Sequence, residues 1–147
     1  MKIERILFPT DFSQKSSAAR EHALYLAEAL GANVHILHAI EPLDYETMDE
    51  EISEFYRNLE KLLGEKMADE KKVFEEKGIN VETEIIIGQR WRVINNYANE
   101  KETDIIVMGS HGFKTESGEV SVGTTSHKVI FTAPCPVLIV RHANDRA

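Results

Sequence analysis

Five short apolar runs punctuate the chain, and amphipathic stretches fill the gaps between them. Ile3 to Phe8 is closed by Pro9. Asn33 to Ile40 (NVHILHAI), Val81 to Ile87 (VETEIII), Asp104 to Met108 (DIIVM) and Pro136 to Val140 (PVLIV) follow. Each is of strand length and rich in β-branched residues. The first, fourth and fifth are nearly continuous in apolar residues, which fits strands covered on both faces.

Between the runs the period changes to that of a helix. Ser13 offers an N-cap, Ala19, Ala23, Leu26, Ala27 and Leu30 form a stripe, and Gly31 ends it. The second gap carries Ile52, Phe55, Tyr56, Leu59, Leu62, Leu63, Met67, Val73 and Phe74 and closes before Gly78. Its lead-in, Glu41 to Glu50 with Pro42, reads as irregular and mobile. A third helix follows Gly88 with Trp91, Ile94, Tyr97 and Ala98 inward. A fourth runs from Gly123 to Phe131, with Val122, Ser126, Val129 and Ile130 on one face, and ends before Pro134. The order βαβαβαβαβ predicts an α/β fold: one domain over residues 1–147, with an open parallel five-stranded sheet and helices on both faces.

With strand order 3-2-1-4-5, the order reverses between strands one and four. Ligands of open parallel sheets settle there, outside the carboxyl ends of the strands. The least ordinary residues of the chain fall at those two ends. Strand one exits through Pro9-Thr10-Asp11, and strand four through Gly109-Ser110-His111-Gly112. Further on, Gly123-Thr124-Thr125-Ser126 opens the fourth helix. Glycines let backbone approach a ligand without a Cβ in the way. Free N–H groups at a helix N-terminus favour an anion such as phosphate. Each residue also has a plainer reading. Asp11 suits a helix cap as well as a ligand contact, and Thr10 a turn. His111 reads equally as a solvent-facing loop residue. Gly109 and Gly112 could only serve a tight turn, and Gly123 to Ser126 only a cap.

Composition narrows the classes. The chain has 147 residues, 42% hydrophobic and 29% charged, ordinary for a globular protein. No apolar run approaches the roughly 20 residues of a membrane span. The N-terminus lacks the long apolar region of a secretory signal, so the expected location is cytoplasmic. A net charge of −8 argues against nucleic acid as partner. One cysteine, Cys135, excludes an internal disulfide and a cysteine-cluster metal site, and it reads as a packing residue. His35 and His38 are placed on one face of strand two as packing histidines, with no third metal ligand in sight. The phosphate loop GxxxxGK[ST], the dinucleotide motif GxGxxG and the nucleophile elbow GxSxG do not occur. No nucleophile–base pair is evident, so no catalytic residue is assigned.

Taken together the motifs resemble the universal stress protein family over nearly the whole chain. RILFPTDFS, LHAI, DIIVMGSHG, GTTSHKVI and PCPVLIVR match that family in order. The resemblance implies a Rossmann-like, adenine nucleotide alpha hydrolase-like fold. One branch of the family binds ATP through G-x-x-G, nine residues, then G-[ST]. Gly109, Gly112, Gly123 and Thr124 supply those markers, but Phe113 to Val122 makes the spacer ten residues. The extra residue is placed near Glu116 to Glu119, where Gly118 can absorb it. By position, the resemblance implies that Asp11 and the Ala39 backbone contact adenine. Pro9, Thr10 and Met108 would wall the pocket, and Gly109 would approach the ribose. His111, Gly112, Gly123, Thr124, Thr125 and Ser126 would surround the phosphates, and Ser110 is counted among the nucleotide-binding residues. Mg²⁺ or Mn²⁺ would travel with ATP or another adenine nucleotide. The resemblance further implies a homodimer paired through the C-terminal strand, residues 137–141. It leaves the protein partner unknown; as an enzyme the chain would be at most a weak ATPase using bound metal and His111. The longer spacer supports an alternative: a homodimeric interaction module with a degenerate pocket that binds no nucleotide.

Overall fold

The computed structural model describes residues 1–42, 49–110, 113–114, 120–121 and 124–142, and of 113, 114, 120, 121 and 124 the backbone alone. The elements in chain order are β1 (Arg5–Pro9), α1 (Gln14–Leu30), β2 (Asn33–Ile40), α2 (Glu50–Glu75), β3 (Val81–Ile87), α3 (Arg90–Glu100) and β4 (Ile105–Gly109). Then come β5 (Phe113–Lys114), β6 (Val120–Ser121), α4 (Thr124–Thr132) and β7 (Val137–Val140). Five strands form one parallel sheet in the order β3-β2-β1-β4-β7, as the alternation of elements predicts.

Local chemistry explains the boundaries. At α1 the Ser13 hydroxyl accepts from the Ser16 N–H, and Gly31 closes the helix in the left-handed region at φ 64°. Glycine adopts that conformation without a Cβ penalty. Asp49 caps α2 by accepting from the Ile52 N–H at 2.9 Å, and Glu50 and Glu51 complement the helix dipole. At the other rim the Asp104 carboxylate accepts from the N–H groups of Glu4 (2.8 Å) and Arg5 (2.9 Å), which fixes where β1 begins.

The sheet buries both faces. Ile6, Phe8, Val34, Ile36 and Val107 meet Ala19, Ala23 and Ala27 of α1 and Met67 and Phe74 of α2. Leu7, Leu37, Ile106 and Met108 meet Val93, Ile94 and Tyr97 of α3 and Val129 of α4. The α1 alanines let that helix lie close on the central strands.

Several expectations change. Leu30, Phe55, Leu62 and Ile130 have helical spacing, but each is about half exposed (49%, 50%, 51% and 49%). Periodicity marks a broad stripe, and only its centre meets the sheet. His35 and His38 face opposite sides of β2, because residues three apart on a strand cannot share a face. His35 lies with Tyr97 of α3, whereas His38 stacks on Phe12. The expected loop from 113 to 122 contains an antiparallel ladder, with Phe113 opposite Ser121 and Lys114 opposite Val120. Two-residue strands are too short to show a period. The lead-in at 43–48 and Val122 lie outside the described residues.

Candidate functional site

The sheet opens at its switch point. β1 and β4 pair only at Ile6–Ile105 and Leu7–Ile106. Beyond that, each follows its other neighbour. The Thr10 N–H donates to the Leu37 carbonyl (2.9 Å), extending β1 along β2. The Ser110 N–H donates to the Val140 carbonyl (2.8 Å), extending β4 along β7. Pro9, which has no N–H, stands where the two strands part. A narrow cleft of about 30 Å³ opens to solvent above this fork.

Pro9, Thr10 and Asp11 line the cleft from β1, Ala39 from β2, Met108 from β4 and Thr125 from α4. All six are residues that the sequence nominates. Leu37, His38, Arg90 and Ile94 also line it and were not foreseen. Ile94 and Leu37 read as core, and His38 as packing. Arg90 follows β3, whose exit lies on the same rim of a parallel sheet. That topological rule would have found it.

The wall from β1 is densely tied. The Asp11 Oδ1 accepts from the Ser13 N–H (2.9 Å) and from the Ser16 hydroxyl (2.7 Å), while Ser16 Oγ accepts from the Asp11 N–H (3.2 Å). Thr10 Oγ1 accepts from the Phe12 N–H at 3.0 Å. These bonds hold Phe12 at φ 64°, a left-handed conformation that non-glycine residues seldom adopt. Asp11 therefore braces the turn that leads into the Ser13 cap of α1 and lines the cleft at once, so the two sequence readings coexist.

His38 braces this turn from below. Its Nδ1 lies 2.7 Å from the Thr10 carbonyl oxygen, which can only accept, so Nδ1 carries the proton. Its ring stacks on Phe12 with centroids 4.8 Å apart. Burial pushes its pKa below the ordinary histidine value. The Thr10 hydrogen bond opposes that, and the charge of Arg90 adds to it. His35, on the opposite face, lies 2.9 Å from the Tyr97 hydroxyl, away from the cleft lining. Burial raises the Cys135 thiol pKa, in keeping with a packing role.

The β4 side is built by close contact. A Cβ on Gly109 would stand 2.7 Å from the Lys15 carbonyl oxygen, so the first turn of α1 requires glycine there. The Ser126 hydroxyl, fully buried, donates to the Gly109 carbonyl at 3.3 Å and ties α4 to the end of β4. Thr125, one residue earlier, faces the cleft. His111, Gly112 and Gly123 lie outside the described residues, as does the side chain of Thr124. Among the described residues no cluster of three His, Cys, Asp or Glu could hold a metal ion, and no helix is long and apolar enough to cross a membrane.

The fork carries one carboxylate, one guanidinium, one imidazole and several apolar wall residues, a combination suited to a planar heteroaromatic ligand. Comparison with known proteins points to one group. The model of the universal stress protein family matches residues 2–141. Universal stress protein MJ0577 of Methanocaldococcus jannaschii is 31% identical over 158 residues, spanning 97% of each chain. The solved structure of MJ0577 superposes with a TM-score of 0.87 at 30% identity, covering 99% of this chain and 100% of that one. Universal stress protein UspA from Lactobacillus plantarum gives a TM-score of 0.75 at 28% identity, covering 96% and 99%. A universal stress protein solved in complex with cAMP shares the fold, with a TM-score of 0.73 at 20% identity over 96% and 98%.

Proposed function

This chain belongs to the universal stress protein family, and from that premise we propose that its β1–β4 fork binds an adenine nucleotide, ATP or a close relative. The observation that carries the reading is the parting of β1 and β4 beyond Leu7–Ile106, with Asp11 and Thr125 on the cleft it opens. Apolar walls from Pro9, Ile94 and Met108 fit the faces of a purine. Asp11 and the Ala39 backbone take the polar edge of the adenine, and Thr10 closes the floor. Gly109 lies under the ribose. The N-terminus of α4, with Thr124 and Thr125, and the backbone of Ser110, His111, Gly112 and Gly123 take the phosphates. Ser126 positions that helix by its bond to Gly109. Mg²⁺ or Mn²⁺ is held by phosphate oxygens and water. A protein of this fold has been solved with cAMP, a nucleotide of the same class.

The module works in the cytoplasm as a homodimer in stress adaptation, and nucleotide occupancy sets a surface around residues 113–122 that a partner reads. β7 is an edge strand whose Val137, Leu138 and Ile139 are only half-buried in the single chain, and pairing with a second copy would cover them. No residue of the cleft is assigned as nucleophile or base, so binding is the proposed activity, with at most a weak ATPase beside it.

Titration calorimetry on protein stripped of bound small molecules tests the reading. Affinity for ATP or AMP below millimolar sustains it, and none at millimolar removes it. The ten-residue spacer favours a second reading, an interaction module with an unused pocket. Gly123→Val separates the two. Under the first reading the added side chain abolishes nucleotide binding; under the second neither form binds.

A further inference from the structure

We propose that Arg90 is a base-binding residue of the cleft, its guanidinium closing over the face of the bound base; this rests on the nucleotide reading above. Arg90 is the first residue of α3 and is exposed, yet it lines the cleft beside His38 and Ala39. It is the only arginine or lysine among the described lining residues. α3 follows β3, the sheet neighbour of β2, so Arg90 enters the fork from its β2 side. The end assigned to the phosphates is the other one, at Gly109 and Thr125.

Two further observations support a partner from outside the chain. Among the described residues no hydrogen bond or ion pair engages Arg90. Its place also opposes local electrostatics. Gln89 gives α3 no side-chain cap, the first turn holds no acidic residue, and Arg90 and Arg92 stand at the positive end of the helix dipole. Arg92 lies over the Trp91 ring at 5.2 Å, so its cation already has an aromatic face. Arg90 is left to find one. A planar guanidinium stacks on a heteroaromatic ring, where a lysine ammonium offers only a point charge. The walls from Pro9, Ile94 and Met108 are apolar, and Arg90 supplies the electron-poor face they lack.

The test compares wild type, Arg90→Ala and Arg90→Lys, stripped of bound small molecules, against adenosine, AMP and ATP. Thermal melts confirm that both variants fold. If the guanidinium covers the base, Arg90→Ala weakens all three ligands by the same factor, roughly five- to tenfold, and Arg90→Lys restores little of it. Raising the salt concentration leaves that factor unchanged. An Arg90→Ala loss that grows from adenosine to ATP, and that Arg90→Lys repairs, puts the residue on the phosphates and overturns the proposal. Unchanged affinity in Arg90→Ala also overturns it, while the nucleotide reading survives. Wild-type protein that binds none of the three removes that reading, and this inference with it.

Discussion

Helices α1 and α3 begin on the same rim of the sheet and in opposite ways. α1 starts from a turn in which Thr10, Asp11, Ser13 and Ser16 satisfy one another, with the carboxylate of Asp11 near the positive end of the dipole. α3 starts from Gln89, which makes no side-chain cap, and has two arginines in its first turn. The two starts line one cleft. A wall whose polar groups bond one another is preorganised and presents a fixed edge. A wall with an unpaired cation gives up local stability and retains a group for a ligand. Departures from good helix chemistry are expected where function is located.

The largest break in this contrast is Asp11→Ala. It removes the acceptor of the Ser13 N–H and of the Ser16 hydroxyl, and Ser16 is only 2% exposed. Leaving the Ser13 N–H and the proton of the buried Ser16 hydroxyl without an acceptor costs about 2–3 kcal/mol, read by urea denaturation. Asp11→Asn retains an oxygen for the turn and loses the charge. It should keep most of the stability while still weakening nucleotide binding. Equal losses from both variants would mean that the carboxylate charge, not its geometry, holds the turn.

Next comes the contact between α1 and the end of β4. Gly109→Ala puts a methyl group 2.7 Å from a backbone oxygen, and backbone cannot swing aside as a side chain can. An overpacking loss of about 1–3 kcal/mol should follow. A melting temperature equal to wild type would show that α1 lies more loosely on β4 than the geometry implies.

His38 joins the two walls, and pH tests the joint. Its folded pKa is lowered from 6.5, so the unfolded chain takes up the proton first as pH falls. The stabilisation is complete above 6.5 and is lost as pH drops through the folded value. His35, lowered by burial as well, contributes with the same sign. In His38→Asn an amide N–H can replace Nδ1 as donor to Thr10, and part of the acid-side decline of the melting temperature should disappear. An unchanged pH profile would assign the decline elsewhere.

The sheet was legible because apolar runs of strand length alternated with helical stripes. Asn33–Ile40 and Val81–Ile87 match the observed strands residue for residue. The fork was legible because topology, not side-chain chemistry, placed Thr10 beside Gly109. What stayed hidden depended on orientation. Periodicity could not tell that Leu30 and Ile130 lie at the edges of their stripes, or that Ser126 turns its hydroxyl towards Gly109 while Thr125 faces the cleft. Nor could it single out Arg90, since a cation at a helix start carries no pattern and becomes informative only when the cleft lining is known.

The smallest expected effect addresses the weaker start directly. Gln89 occupies the N-cap of α3 with φ −65° and ψ 123°, extended geometry in which a short acidic side chain can accept from the helix N–H groups. Gln89→Asp should therefore stabilise the fold by about 0.5–1 kcal/mol through the cap and the dipole. The same carboxylate stands next to Arg90 and offers it an internal partner. Nucleotide affinity should fall as thermal stability rises, opposite signs from one substitution. If both rise together, the uncapped start of α3 has no bearing on the ligand, and the contrast between the two walls is one of stability alone.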